Sequence, residues 1–210
     1  MISLTEYLKD PCGTLSVPYW KNKNIITPEH IKIVHQKDFS AGDFSDFTDE
    51  LYFRLIHRLE NIEAFSLDGF YARTAEPEDI PLTVDLINKS YTDISVSCEQ
   101  ILALTQLDVY DKNLWIIVYD KETDSAVGCG IADFDGEARE GILEWIQVLP
   151  EYRGNKIGRL IVNELLCRMV GKADFATVSG KADNTSKPEI LYRKCGFTGE
   201  DVWHILHRKD

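Results

Sequence analysis

The sequence has no apolar run approaching the roughly 20 residues a bilayer-spanning helix needs, so a membrane-embedded class is set aside. Its opening stretch, MISLTEYLKDPCG, lacks the basic start and apolar core of a signal peptide. Cysteine is sparse and scattered: five residues, Cys12, Cys98, Cys129, Cys167 and Cys195, with no CxxC pair. That pattern argues against a disulfide framework or a zinc knuckle and fits free thiols in a reducing compartment, so a cytoplasmic location is expected. Positive charge is short as well. Against 35 Asp and Glu there are 23 Lys and Arg, a formal net charge of −12. Most of the surface would repel phosphates, so no nucleic-acid partner is expected; with no long apolar run, no membrane partner is expected either. The histidines lack ligand spacing, and His204 and His207, three apart on a strand, would face opposite ways, so no metal is expected. Repeats and low-complexity tracts are missing too.

What is present is 210 residues with an ordinary hydrophobic share of 44%, enough for one sizeable domain with an extension. Two textures divide it. Residues 1–66 open with the turn-rich DPCGTLSVPYWKNKN, and TDELYFRLIHRLENI then reads as a helix. Thr48 suits an N-cap, Asp49 and Glu50 suit the first turn, and Leu51, Leu55, Leu59 and Ile62 recur at helical spacing. From about Gly69, strand and helix patterns alternate, which predicts an α/β or α+β sheet domain over 67–210, with 1–66 as a helical or irregular extension packed on it.

The firmest unit is strand, turn, helix, strand. GILEWIQVL is apolar on both faces, with Ile142, Ile146 and Val148 alternating against Leu143, Trp145 and Leu149, the pattern of a central strand. The next run repeats Ile157, Ile161, Leu165 and Met169 four apart, one stripe for a sheet, and FATVSGKA follows as a strand, predicting a βαβ crossover with a parallel pair. The turn VLPEYRGNKIG leads from strand to helix. A helix N-terminus carries unpaired N–H groups and the positive dipole end. Gly154 and Gly158 permit close backbone approach, and Arg153, Lys156 and Arg159 add cations. Pyrophosphate binding is one reading; a glycine-softened turn with solvated basic residues is the other. The turn matches neither GxxxxGK[ST] nor GxGxxG.

VLPEYRGNKIG resembles V-x-P-x-Y-R-G-x-G-I-G, and LYRKCGF resembles Y-x-x-x-G-F, two motifs of the GNAT superfamily of acetyl-CoA-dependent N-acetyltransferases. They occur in the family's order and at a typical separation, within a resemblance that covers about residues 69–210. It implies a mixed, mostly antiparallel sheet with flanking helices, whose fourth and fifth strands run parallel and splay apart around acetyl-CoA. It assigns the pantetheine arm to the backbone of Ile146, Gln147 and Val148. The pyrophosphate falls to the loop Arg153, Gly154, Asn155, Lys156, Ile157, Gly158 and Arg159. Asn184 matches a further cofactor contact, and Tyr192 the tyrosine that commonly protonates the departing thiolate. One departure stands out: Lys156 replaces the loop's middle glycine.

Acetyl transfer to an amine needs deprotonation of the ammonium, a positioned carbonyl and a leaving thiolate. A thiol titrates near pH 8.5 and a tyrosine near 10, so a tyrosine can protonate the leaving sulfur while staying neutral itself. Main-chain N–H groups of Ile146 and Gln147 are candidates for the oxyanion. Glu144, the acid inside ILEWIQVL, is the candidate base, expected on the face of Ile142 and Ile146 where scarce water makes a carboxylate a better proton acceptor. A strand carboxylate paired with a neighbouring cation, or a water chain in its place, stays open for Glu144, and a core tyrosine for Tyr192. Cys129 and Cys195 read as small buried hydrophobes. Tyr19 and Trp20 read as core, with an acceptor wall as the alternative. The reading is an N-acetyltransferase acting on a small-molecule or peptide amine. Beside it stand a non-catalytic acyl-CoA-binding protein and a role for residues 1–66 as a docking module.

Overall fold

The computed structural model describes residues 2–91 and 94–209. In chain order the elements begin with α1 (Leu4–Tyr7), α2 (Pro11–Thr14), α3 (Tyr19–Asn24), β1 (Ile31–His35), β2 (Phe47–His57) and β3 (Phe70–Thr74). They continue with α4 (Ile80–Ser90), α5 (Cys98–Leu104), β4 (Trp115–Asp120), β5 (Ala126–Asp135) and β6 (Glu140–Val148). The last four are α6 (Ile157–Met169), β7 (Phe175–Lys181), α7 (Pro188–Lys194) and β8 (Thr198–Arg208). The strand, helix and strand predicted around the turn at 148–160 are present as β6, α6 and β7. Together they make a mixed α/β fold, mostly antiparallel, with one parallel strand pair and flanking helices. Among the described residues no helix is long and apolar enough to cross a membrane.

The chain divides into two compact units, Met1–His57 with Thr177–Asp210, and Arg58–Ala176. In the first, the strand order is β1-β8-β2-β7, and β8 pairs antiparallel with both β1 and β2. The helix predicted from Thr48 is in fact strand β2. Leu51 and Leu55, four apart, satisfy a two-residue alternation as well as a helical one, and Tyr52, Phe53 and Ile56 are strand formers. The deciding partner is β8, more than 140 residues away in the chain, with Tyr52 opposite Trp203 and Ile56 opposite Thr198. Phe53, Arg54 and Leu55 are consecutively buried, so both faces of β2 are covered. Arg54 donates to the Tyr7 hydroxyl at 2.9 Å, and Trp203 Nε1 donates to the Cys12 carbonyl at 2.8 Å, tying the short N-terminal helices to β2 and β8. Tyr19 is core here, 5.4 Å from the Tyr7 ring, and Trp20 is half-buried. His204 is buried between Asp49 (2.8 Å) and Gln36 (2.9 Å).

In the second unit β3, β4, β5 and β6 form an antiparallel series. One face carries the cluster of Leu86, Ile87, Ile101, Trp115, Ile117, Cys129 and Ile131, contributed by α4, α5, β4 and β5. Burial pushes the Cys129 thiol up to about 12, which makes it an unreactive core group. The other face receives α6. It comes close because β5 offers glycines there: a Cβ on Gly130 would overlap Ile161 Cγ2 and stand 3.1 Å from Leu165 Cδ1. Gly130→Ala is therefore expected to destabilise the protein by about 1–3 kcal/mol through overpacking. Thermal unfolding measures it, and an unchanged Tm would mean that α6 is not seated as described.

Candidate active site

Along β6 the pairing with β5 slips once. Leu143 stands opposite Ala132 and Trp145 opposite Ile131, so Glu144 is the extra residue of a β-bulge. The bulge corrects the expected faces. Ile142 is opposite Asp133 and Ile146 opposite Gly130; these β5 positions are three apart and face opposite sides, so Ile142 and Ile146 do too. Leu143, Ile146 and Val148 take the α6 side, while Ile142, Trp145, Gln147 and Leu149 take the side of α4 and α5. Glu144 is half-buried at the point of slippage, where a bulge re-aims a side chain.

The main chain of the same segment is equally specific. Leu149 N donates to Val127 O at 3.0 Å, which makes 149 and 127 a hydrogen-bonded pair and, by alternation, 147 and 129 another. Gln147 thus turns its N–H and C=O to β5, whereas Ile146 and Val148 turn theirs to the opposite edge. Of the three residues assigned to a pantetheine arm, two have main-chain groups on that edge. The buried Gln147 side chain donates instead to the Tyr91 hydroxyl at 2.9 Å.

After Val148 the chain makes a single 3₁₀ turn, Pro150–Tyr152, whose last bond is Arg153 N to Pro150 O at 3.2 Å. Gly154 then takes φ 86°, and Lys156, the N-cap of α6, takes φ 64°. Among the described residues, the amides of Gly154 through Arg159 donate to no protein acceptor; the first bond of the helix is Leu160 N to Lys156 O, 3.1 Å. A run of unpaired N–H groups at the positive end of a 13-residue helix suits an anion. The side chains contribute less than their charges promise. Arg153 donates to the Val148 and Ser90 carbonyls, and Asn155 donates to the Tyr152 carbonyl at 3.2 Å. Ile157 is buried, and Gly158 sits within the first helical turn. Arg159 lies 4.4 Å above the Phe65 ring, beside a strap in which Asn163 accepts from Phe65 N (2.6 Å) and donates to Glu63 O (2.8 Å). Lys156 holds a glycine-like conformation with a β-carbon present. Lys156→Gly is expected to raise stability by up to about 1 kcal/mol as that crowding is relieved; denaturant unfolding reads it, and a loss of stability would contradict the strain.

Tyr192 and Asn184 belong to the other unit. Tyr192 is buried on α7, with ring centroids 6.2 Å from Phe53 and 5.8 Å from Phe197. Asn184 Oδ1 accepts from Ser186 N at 2.9 Å and Ser186 Oγ at 2.7 Å. Sequence reasoning passed over Ser90 and Tyr91, which reach the end of β6, and the spaced glycines of VGCG, which were the visible sign that a helix packs closely there. Among the described residues, no group of three or more His, Cys, Asp or Glu side chains is placed to hold a metal ion.

Residues 111–199 match a family model described as an acetyltransferase (GNAT) domain. No curated protein matches the sequence. Among solved structures, the chain is similar to a GCN5-related N-acetyltransferase from Sphaerobacter thermophilus, with 19% identity and a TM-score of 0.72. That match covers 90% of this chain and 63% of the Sphaerobacter chain, so this chain spans less than two thirds of that relative. The ribosomal-protein-S18-alanine N-acetyltransferase from Escherichia coli is similar over 66% of this chain and 93% of its own, at 17% identity and a TM-score of 0.53. A functionally unknown conserved protein from Staphylococcus epidermidis is similar over 100% of this chain and 82% of its own, at 13% identity and a TM-score of 0.59. At these identities the likeness is one of fold.

Proposed function

We propose, from the acetyltransferase (GNAT) domain that residues 111–199 carry, that this protein transfers the acetyl group of acetyl-CoA to a primary amine in a ternary complex. The observation that carries this reading is the run of unpaired amides from Gly154 to Arg159 at the N-terminus of α6, a donor set matched to a diphosphate. Lys156 and Arg159 add charge at its rim. The main-chain groups of Ile146 and Val148 on the edge of β6 away from β5 take the pantetheine arm, and Asn184 is a further cofactor contact by resemblance.

In the reaction the amine nitrogen attacks the thioester carbonyl, the C–S bond breaks, and coenzyme A leaves as its thiolate. The proton lost by the amine passes to Glu144 or to water beside it. The thiolate takes a proton from the Tyr192 hydroxyl, which is replenished from solvent. The acceptor is a small molecule or a peptide amine, and no metal takes part. A thiol-release assay with acetyl-CoA across a library of amines tests the reading. Release with any amine supports it. Acetyl-CoA bound without release across the library would leave a non-catalytic acyl-CoA-binding protein.

A further inference from the structure

Arg153, an exposed residue five positions after the end of β6, is held by two main-chain carbonyls. Arg153 Nε donates to Val148 O at 3.2 Å, and Arg153 Nη2 donates to Ser90 O at 2.7 Å. Ser90 is the last residue of α4, whose final carbonyls have no helical partner and form the negative end of its dipole. A guanidinium there satisfies one such carbonyl and complements that dipole. The adjoining residue is held as well: Tyr91 accepts from Gln147 Nε2 at 2.9 Å and meets the Trp145 ring edge-on at 6.3 Å. Beyond it, Asn88 donates to Val96 O (3.0 Å) and accepts from Val96 N (2.8 Å), closing the chain after the helix. The corner of α4 is therefore bound to β6 at Trp145, Gln147 and Val148, the last through Arg153.

We infer that Arg153 is a positioning residue, which fixes the edge of β6 by tying the Val148 carbonyl to the end of α4, rather than a phosphate ligand. The inference rests on the reading of β6 as the strand that holds acetyl-CoA. It occupies one lone pair of the Val148 carbonyl and leaves the other, with Val148 N–H and both main-chain groups of Ile146, for the cofactor. Two acceptors in different directions require the planar fork of arginine; a lysine ammonium on its flexible stem does not reproduce it.

The test compares kcat/KM for acetyl-CoA and for S-acetylpantetheine, which keeps the thioester and the arm and lacks the nucleotide. It is paired with amide hydrogen exchange over residues 86–91 of the ligand-free protein. Arg153→Ala is expected to lower kcat/KM about tenfold on both thioesters, the scale of one lost charge-assisted hydrogen bond, and to speed exchange at the end of α4. Arg153→Lys is expected to rescue neither. A loss confined to acetyl-CoA would make Arg153 a phosphate ligand and overturn the inference, as would unchanged exchange. If the wild-type protein turns over neither thioester, the acetyltransferase reading falls. Exchange then decides the clamp alone, faster exchange supporting it and unchanged exchange overturning it.

Discussion

Tyr192→Phe is expected to lower kcat by about 10²–10⁴-fold, the range of a lost general acid, while the affinity for acetyl-CoA holds. The change removes one oxygen. The ring that packs against Phe53 and Phe197 stays, so the variant should keep that packing and fold. Core packing is a complete reason for an aromatic ring at this buried position, but it does not require the hydroxyl to take part in turnover. Steady-state kinetics with the best amine, together with calorimetric binding of acetyl-CoA, separates the two roles. Unchanged kcat would take Tyr192 out of the mechanism and leave it as core.

The second large effect is expected at Gly154. Its φ of 86° lies where an L side chain crowds its own backbone, and a β-branched residue is the least tolerated there. A Cβ at this position would meet nothing within 4 Å, so the penalty is one of backbone conformation and not of packing. Gly154→Val should swing the turn toward negative φ and re-aim the first amides of the run. Acetyl-CoA binding is then expected to weaken by about 10–100-fold, because several hydrogen bonds to an anion are misaimed together. Global stability should fall by only about 1–2 kcal/mol. Titration calorimetry with thermal unfolding reads both; an unchanged Kd would show that the turn's conformation does not matter to the ligand.

The parts of the fold legible in the sequence are those set by local pattern. The two-faced run of β6, the four-residue stripe of α6 and the glycines between them predicted strand, turn and helix, and the unpaired amides lie where that turn places them. β2 was not legible, because Leu51 and Leu55 fit both periods and the ladder that decides between them comes from β8. β1, Ile31–His35, is five residues on the outer side of β8, too short to stand out without its partner. The bulge at Glu144 is a mismatch between two strands, so one strand's alternation cannot reveal it, and the faces assigned to Ile142, Ile146, Leu143 and Trp145 went wrong with it. The charge of Arg153 was equally visible, but its acceptors were not. Ser90 lies 63 residues away, and only the docking of α4 makes its carbonyl the partner.

The most direct test is a ¹H–¹⁵N NMR titration of the purified protein with acetyl-CoA. The account predicts saturable shifts concentrated at the amides of Gly154 through Arg159, moving downfield as they acquire an anionic acceptor. Saturable binding that leaves those six resonances in place would contradict it, and so would a spectrum that acetyl-CoA does not perturb at all.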